Sequence, residues 1–466
     1  MAATRFQTVN PASGEVIGEY ETITSQQALE VARRAREAFN SWRRLDIGER
    51  ADYLRRLAGV LRKNLREYAE LITLEMGKPI RQARAEVEKC AWTAEVFAEN
   101  GERWLEEEVV GTDAWKSLVR FEPLGVVLSV MPWNFPFWQP LRFGIPALLA
   151  GNVSVLRHSN IVPGCALAIE RAFAEAGFPD YVFKTIITDH DVVADLIASR
   201  YIDGVSFTGS VAAGARIGEL AGRNLKKCVL ELGGSDPFIV LEDADMDFTC
   251  SNAAQARLVN SGQSCIAAKR FIVVESRAEE FTRLFTEYMG RLVVGDPMDE
   301  RTDVGPLVRE ERVRELEAQV EDAVLRGARI LMGGRRMARK GFFYEPTVLA
   351  NVTLGMRVMN EEVFGPVAPI VVARDEAEAI EIANKSEFGL GASIWTRSEE
   401  KAMRVAGQLE CGIVFVNGMV KSDPRMPFGG VKKSGIGREL SKYGLREFVN
   451  IKGITIYEPR GGFKAR

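Results

Sequence analysis

Histidine is nearly absent from this chain: 466 residues carry two, His158 and His190. The six cysteines, Cys90, Cys165, Cys228, Cys250, Cys265 and Cys411, are dispersed, with no Cys-x-x-Cys pair and no histidine clustered beside them. That pattern argues against a disulfide framework and against a structural zinc site. A large charge excess is also missing. With 61 Lys and Arg against 64 Asp and Glu, the formal charge of -3 gives no electrostatic reason to expect nucleic acid or an anionic membrane as partner. The opening MAATRFQTVNPASGE has neither the apolar stretch of a secretory signal nor the Arg/Ser pattern of a transit peptide, so a reducing cytoplasm is expected. The most apolar stretch, Pro123 to Leu156, has Arg142 as its only charge, but Pro132, Pro136, Pro140 and Pro146 interrupt it. A membrane helix needs roughly 20 apolar residues with far fewer breaks.

The rest is ordinary for a globular enzyme, with 46% apolar and 27% charged residues. The length suggests two or three domains, each able to bury its own core. A small-molecule ligand is the default expectation. After a turn-rich start at Asn10-Pro-Ala-Ser-Gly14, Thr24-Ser-Gln-Gln27 fits a capping box. Ala28, Val31, Ala32, Ala35, Phe39 and Trp42 follow at helical spacing. Glu49 to about Met76 and Ile80 to Leu105 read as two more long helices with solvated charged faces.

From Pro123 onward, β-branched runs alternate with helical stretches: Gly125 to Val130, Val153 to Leu156, Tyr181 to Ile187, Gly204 to Phe207 and Lys227 to Glu231, with helices at Pro163 to Ala176 and Gly214 to Ala221. This alternation predicts a parallel sheet covered on both faces, with a nucleotide at the carboxyl ends of its strands. A second alternating block from Asp236 to Glu447 includes strand candidates Phe271 to Glu275 and Val367 to Val372, and reads as a second α/β domain. The tail Ile451 to Tyr457 alternates like a strand that pairs outside its own domain.

Four segments can carry chemistry. Cys265 lies among small residues in Asn260-Ser-Gly-Gln-Ser-Cys-Ile-Ala-Ala268, leaving access to a thiolate; a buried, inert cysteine is the competing reading. With so little histidine, its base must be another group. Glu231, ending the apolar run Cys228-Val-Leu230 and followed by Leu232-Gly-Gly-Ser235, is placed for desolvation and a raised pKa, or is simply a loop or capping carboxylate. Asn134, held between prolines in Met131-Pro-Trp-Asn-Phe-Pro136, offers an amide N–H to a developing oxyanion, though turn chemistry explains it equally. Phe207-Thr-Gly-Ser210 either presents N–H groups to a pyrophosphate or is a plain strand-to-helix turn.

As a set these segments resemble the aldehyde dehydrogenase family across essentially the whole chain. Pro132-Trp-Asn-Phe-Pro136, Phe207-Thr-Gly-Ser210, Glu231-Leu-Gly-Gly-Ser235, Gly262-Gln-Ser-Cys265, Glu361-Glu-Val-Phe-Gly-Pro366 and Pro427-Phe-Gly-Gly-Val-Lys-Lys-Ser-Gly435 stand in that family's order and at its intervals. The resemblance implies an α/β fold: a Rossmann-type NAD(P)-binding domain at 1–103 and 124–235, an α/β catalytic domain at 236–446, and a small oligomerisation element at 104–123 and 447–466. It further implies Cys265 as nucleophile, Asn134 with the Cys265 N–H as oxyanion hole, and Glu231 as activator of the hydrolytic water. Glu362 and Phe364 would hold the nicotinamide riboside, Trp133 and Leu232 border it, and Gly209 and Ser210 sit at the pyrophosphate. Retention of Glu231 favours hydrolysis over transfer to coenzyme A. No metal is implied, and a homodimer or homotetramer is.

The chain departs from the family at the adenosine end. Most relatives read Lys-Pro-Ser-Glu where this chain reads Arg157-His158-Ser159-Asn160. Asn160 removes the carboxylate that repels a 2′-phosphate and Arg157 adds a guanidinium, so NADP is expected to be preferred over NAD. Among relatives the likeness is to short-form succinate-semialdehyde dehydrogenases. There Arg142 matches a substrate-carboxylate position and Ser422 a second contact. A further arginine used by some members is Val259 here, and Arg257 is not assumed to replace it. Alternatively, Arg142 pairs with a neighbouring carboxylate. Phe137 and Trp138 near the mouth leave glutarate semialdehyde and uncharged aliphatic or aromatic aldehydes open. A non-catalytic structural protein on the same fold and a thiol hydrolase are the remaining readings. Ile266 and Ala267 exclude a regulatory disulfide beside Cys265.

Overall fold

The computed structural model describes residues 5–460. The outermost residues of the expected division, 1–4 and 461–466, lie outside the described residues.

The chain opens with an antiparallel hairpin, Arg5–Asn10 with Glu15–Glu21. The second strand is mostly solvent-facing and carries three glutamates, and the first shows no clean apolar alternation, which is why only the turn between them was legible. Helix Ser25–Trp42 follows with the expected capping box, Thr24 and Gln27 bonding each other's backbone. It buries Ala28, Ala32, Ala35, Phe39 and Trp42. The single long helix expected over Glu49 to Met76 is two, Ile47–Lys63 and Leu65–Met76. They break at Asn64, whose side-chain amide donates to Glu175 and Tyr68. Helix Ile80–Trp104 packs along both and runs toward the site.

Five parallel strands form the first sheet in the spatial order Lys227–Glu231, Gly204–Thr208, Val126–Met131, Val153–His158, Phe183–Ile186. The chain builds outward from Val126–Met131 and then returns to its other side with Gly204–Thr208. The order therefore reverses between these two strands, which opens a crevice at their carboxyl ends. The apolar stretch suspected of membrane character is buried here: it supplies two of these strands and helix Trp138–Leu149, every residue of which is buried. Among the described residues no helix is long and apolar enough to cross a membrane.

The second sheet orders Arg329–Met332, Thr347–Ala350, Val367–Ala373, Ala268–Val274, Asp236–Val240, Gly391–Trp395 and Ile413–Val416, parallel except for its first strand. Alternate residues face opposite ways: Phe238 and Val240 enter one apolar cluster, Ile239 and Leu241 the other, so both faces are covered. The chain then crosses back. Gly435–Ile436 pairs antiparallel with Glu231 and Leu230. Gly435 has a φ of +138°, and a Cβ there would stand 1.8 Å from the Leu230 carbonyl oxygen, so only glycine admits the approach. The tail strand Val449–Ile456 pairs with Lys116–Pro123, which also pairs with Glu108–Val109, making a separate sheet with a largely exposed tail strand.

Candidate active site

Cys265 sits just before strand Ala268–Val274, on a loop that faces the carboxyl ends of the first sheet. Three consecutive left-handed residues shape this loop: Asn260 (φ 52°), Ser261 (φ 56°) and Gly262 (φ 77°). For Ser261 that conformation costs about 1–2 kcal/mol. Hydrogen bonds hold it: Ser261 Oγ accepts from Gly305 N–H at 2.9 Å, and the Asn260 amide donates to the Asn134 carbonyl at 2.7 Å. Gly262 lies against the Gly365 carbonyl, where a Cβ would stand 2.3 Å from the oxygen. Below the loop, Lys269 Nζ donates to the carbonyls of Ser264 (2.8 Å) and Cys265 (2.6 Å) and lies 3.3 Å from Glu362 Oε1. Burial pushes the Cys265 thiol up to about 12, against the opposing pull of Lys269 and Arg142.

The Asn134 loop is locked from several directions. Lys78 and Glu86 form a fully buried ion pair; Lys78 Nζ donates to the Asn134 carbonyl at 3.0 Å, while Glu86 accepts from the N–H groups of Phe137 and Trp138. Asn134 Oδ1 accepts from Gln139 at 3.1 Å, so the amide nitrogen must face the other way, where it donates to the Gln263 carbonyl at 3.1 Å. One of its two N–H groups is left for the space beside Cys265.

Two cavities, each of about 230 Å³, share Cys265 as a wall. One lies at the crevice of the first sheet and is lined by Trp133, Asn134, Gly209, Ser210, Leu232, Glu362 and Phe364. Trp133 and Phe364 meet edge to face at 5.8 Å. Ser210 caps helix Val211–Arg223 by accepting from Ala213 N–H, which leaves the earlier N–H groups of that turn for an anion. The other cavity is more apolar and is lined by Lys89, Phe135, Trp138, Arg142, Val259, Ser422 and Phe428.

Glu231 is buried and lines neither cavity. Its carboxylate lies close against Gly429, and Oε1 has no hydrogen-bond partner among the described residues. Burial drives its pKa well above the ordinary carboxylate value; Glu439 adds to the rise, while Arg142 and Arg438 oppose it.

The sequence model of the aldehyde dehydrogenase family matches residues 1–454. The chain belongs to the aldehyde dehydrogenase family. Among its relatives, a probable NADP(+) succinate-semialdehyde dehydrogenase of Synechocystis is 47% identical over 96% of this chain and 99% of its own. A succinate semialdehyde dehydrogenase [NAD(P)+] of Escherichia coli is 47% identical over 98% of this chain and 99% of its own. Among solved structures, the succinic semialdehyde dehydrogenase of Streptococcus pyogenes in complex with NADP+ superposes with a TM-score of 0.95 at 38% identity, covering 97% of this chain and all of the other.

In this aldehyde dehydrogenase the motif residues separated in sequence converge: Cys265 between the cavities, and Trp133, Asn134, Gly209, Ser210, Leu232, Glu362 and Phe364 around the first. In the segment expected at the adenosine end, Arg157 and His158 finish strand Val153–His158, and the half-buried Ser159 and Asn160 follow. Arg157 donates to the Thr188 carbonyl at 3.2 Å, its Nε has no partner, and burial lowers its pKa to about 10. His158 is committed to the protein itself. Its Nδ1 accepts from Ser159 N–H at 2.9 Å, which makes Nε2 the donor to the Pro136 carbonyl at 2.8 Å. Burial takes its pKa down to about 4, so the ring is a neutral brace of the Asn134 loop.

Arg142 lines the apolar cavity but already has an anion: it is ion-paired with Glu439 and lies 4.6 Å above the Phe428 ring. Pairing with a neighbouring carboxylate was the alternative to a substrate role. Arg257 is buried beneath the Cys265 loop, donating to the carbonyls of Gly262 and Val363, and takes no part in the cavity wall. Sequence reasoning missed Lys78, Lys269 and Lys89. Lys78 reaches the Asn134 carbonyl, Lys269 reaches Glu362 and Lys89 reaches Ser422, contacts with distant parts of the chain that no local pattern marks.

Proposed function

We propose that the chain oxidises succinate semialdehyde to succinate through a thioester on Cys265, with NADP taken in preference to NAD. What carries this reading is the meeting of two cavities at one cysteine, a nucleotide-shaped crevice on one side and an apolar, cation-bearing chamber on the other. The relatives' own substrate and cofactor agree with it.

The crevice fits a nicotinamide dinucleotide. Trp133 and Phe364 would give apolar walls for the ring, Glu362, held by Lys269, would accept from the ribose hydroxyls, and the Ser210-capped helix start would receive the pyrophosphate. Arg157 and the uncharged Asn160 suit a 2′-phosphate. The bound cofactor supplies the hydride acceptor.

The protein's residues do the rest. Lys269 and Arg142 favour the Cys265 thiolate against its burial. The sulfur attacks the aldehyde carbon, and the free N–H of Asn134 with the Cys265 backbone N–H holds the resulting oxyanion. Hydride departs from the same carbon and leaves the acyl group on sulfur. Glu231 then turns from its pocket by Gly429 to take a proton from water, which attacks the thioester and releases succinate and the thiolate. Burial, with Glu439, raises the pKa of Glu231 well above that of an ordinary carboxylate, which makes it a stronger base.

A homodimer or homotetramer is supported by the separate three-stranded sheet, where Val109, Ile451 and Tyr457 are exposed together with the outer face of the tail strand. Six unpaired cysteines agree with a reducing cytoplasm. The test is initial-rate oxidation of succinate semialdehyde and of uncharged aldehydes, with NADP and with NAD, using Cys265→Ala as control. Activity confined to uncharged aldehydes would keep the chemistry and reject the substrate; activity surviving in Cys265→Ala would reject the mechanism.

A further inference from the structure

The turn between helices Leu65–Met76 and Ile80–Trp104 places Lys78 in the interior, where its side chain is 1% exposed and that of its ion-pair partner Glu86 is 2% exposed. Both groups grip the loop that carries Asn134. Lys78 Nζ donates to the Asn134 carbonyl at 3.0 Å and lies 3.7 Å from the centre of the Phe135 ring. Glu86 Oε1 accepts from the N–H groups of Phe137 at 2.9 Å and Trp138 at 3.0 Å, donors that the start of helix Trp138–Leu149 cannot satisfy itself, and its other oxygen takes Lys78. The pair therefore spans the loop from its amide-bearing residue to the helix that follows. The same turn also touches the nucleophile side. A Cβ on Gly305 would stand 2.3 Å from the Gly77 carbonyl oxygen, and Gly305 N–H is the group that holds Ser261 Oγ in the Cys265 loop. Asn260 of that loop donates to the very carbonyl that Lys78 holds. Burial pulls the Lys78 ammonium below its ordinary value, and Glu86 opposes the fall most strongly. A buried ion pair gives little net stability over apolar residues of the same size, so what the pair fixes in place matters more than its strength.

We propose that Lys78, with Glu86 as its counter-ion, is a positioning residue that sets the Asn134 amide against the Cys265 loop and so aims it at the oxyanion. The inference rests on the oxyanion role of Asn134 in the proposed function and deepens it by naming what places that amide. Lys78 lines neither of the two cavities that meet at Cys265, so it acts through Asn134 alone. Glu86 borders the aldehyde cavity, but its oxygens are spent on Lys78, Phe137 and Trp138. A hydrogen bond to an oxyanion gains strength as charge develops, so a displaced amide costs rate and leaves ground-state binding unchanged. Without Lys78 the Asn134 carbonyl keeps its bond from Asn260, and the loop loses the contact that fixes it from the other side.

The test follows the burst of reduced cofactor by rapid mixing, at saturating succinate semialdehyde and NADP, in the wild type, Lys78→Met, Asn134→Ala and the two combined, with the KM for NADP measured beside it. Lys78→Met slows the burst roughly 10- to 100-fold while the KM for NADP stays within about twofold, and Asn134→Ala slows it roughly 100- to 1000-fold. In the Asn134→Ala background Lys78→Met costs less than about twofold more, because the group it places is gone. Losses that multiply instead give Lys78 a general structural part and overturn the proposal, as does a wild-type burst rate in Lys78→Met. Where Lys78→Met fails to fold because Glu86 is left buried and unpaired, Lys78→Met with Glu86→Gln keeps a neutral acceptor for the Phe137 and Trp138 N–H groups, and the same outcomes decide. An unimpaired burst in Asn134→Ala defeats the oxyanion reading itself, and this inference with it.

Discussion

Arg142 and Glu439 pair inside the protein with side chains 3% and 4% exposed, joining helix Trp138–Leu149 to the segment that returns from the second sheet. The pair also sets the field around Glu231, which Glu439 pushes toward the protonated form and Arg142 pulls back. Removing one partner leaves the other buried and alone. Arg142→Ala is expected to lower unfolding free energy by about 3–5 kcal/mol, and Arg142→Met with Glu439→Leu to recover much of it. Urea denaturation of the single and double variants measures this; equal losses in both would show that the pair is not the cause.

Acylation and deacylation separate at Glu231. Glu231→Gln is expected to release about one equivalent of reduced cofactor in a burst and then to turn over roughly 10²- to 10⁴-fold more slowly, because only the water-activating step is damaged. Rapid-mixing absorbance of the reduced nicotinamide follows it. A variant that loses the burst as well would put Glu231 before the thioester.

The pH profile follows from the same carboxyl. A base works ionised, and burial raises the pKa of Glu231. Turnover should therefore fall, as pH decreases, at a value above the ordinary glutamate pKa of about 4.3. In Glu231→Gln this acidic limb should vanish from the residual rate.

His158 links pH to stability. Its folded pKa of about 4 lies below the ordinary 6.5, so the folded state favours the neutral ring. The stability this provides is complete above pH 6.5 and is lost as pH falls toward 4, amounting to about 3 kcal/mol over the window. Denaturation midpoints at neutral and acidic pH, compared with His158→Gln, report it. An identical acid loss in the variant would assign the effect to other groups.

Asn160 tests the cofactor preference. Asn160→Glu places a carboxylate where a 2′-phosphate would lie, and the ratio of kcat/KM for NADP to that for NAD should drop at least about tenfold. No change would move recognition of the phosphate to Arg157 and its neighbours.

Much of the architecture was legible because its signals are local. Strand Lys227–Glu231 and the capping box at Thr24 stand where β-branched runs and side-chain spacing put them. The hairpin at Arg5 to Glu21 was not legible, because strands exposed on most positions show no apolar alternation. The left-handed turn through Asn260, Ser261 and Gly262 also escaped, since serine carries no signature for that conformation and contacts with Gly305 and Gly365 impose it.

The sequence by itself determined the chemistry on offer: a thiol at 265, an amide at 134, a carboxyl at 231, and the alternation that builds a crevice for a nucleotide. Tertiary structure alone decided which charges are spent. Arg142 stands alone in an apolar segment when read along the chain, yet folding brings it Glu439; Lys89 looks like one more surface lysine, yet folding seats it on Ser422, 333 residues away, with no ion pair among the described residues. The physical reason is range. Backbone preference and side-chain periodicity act over a few residues, while the cost of a buried charge depends on every group the fold brings within a few ångströms.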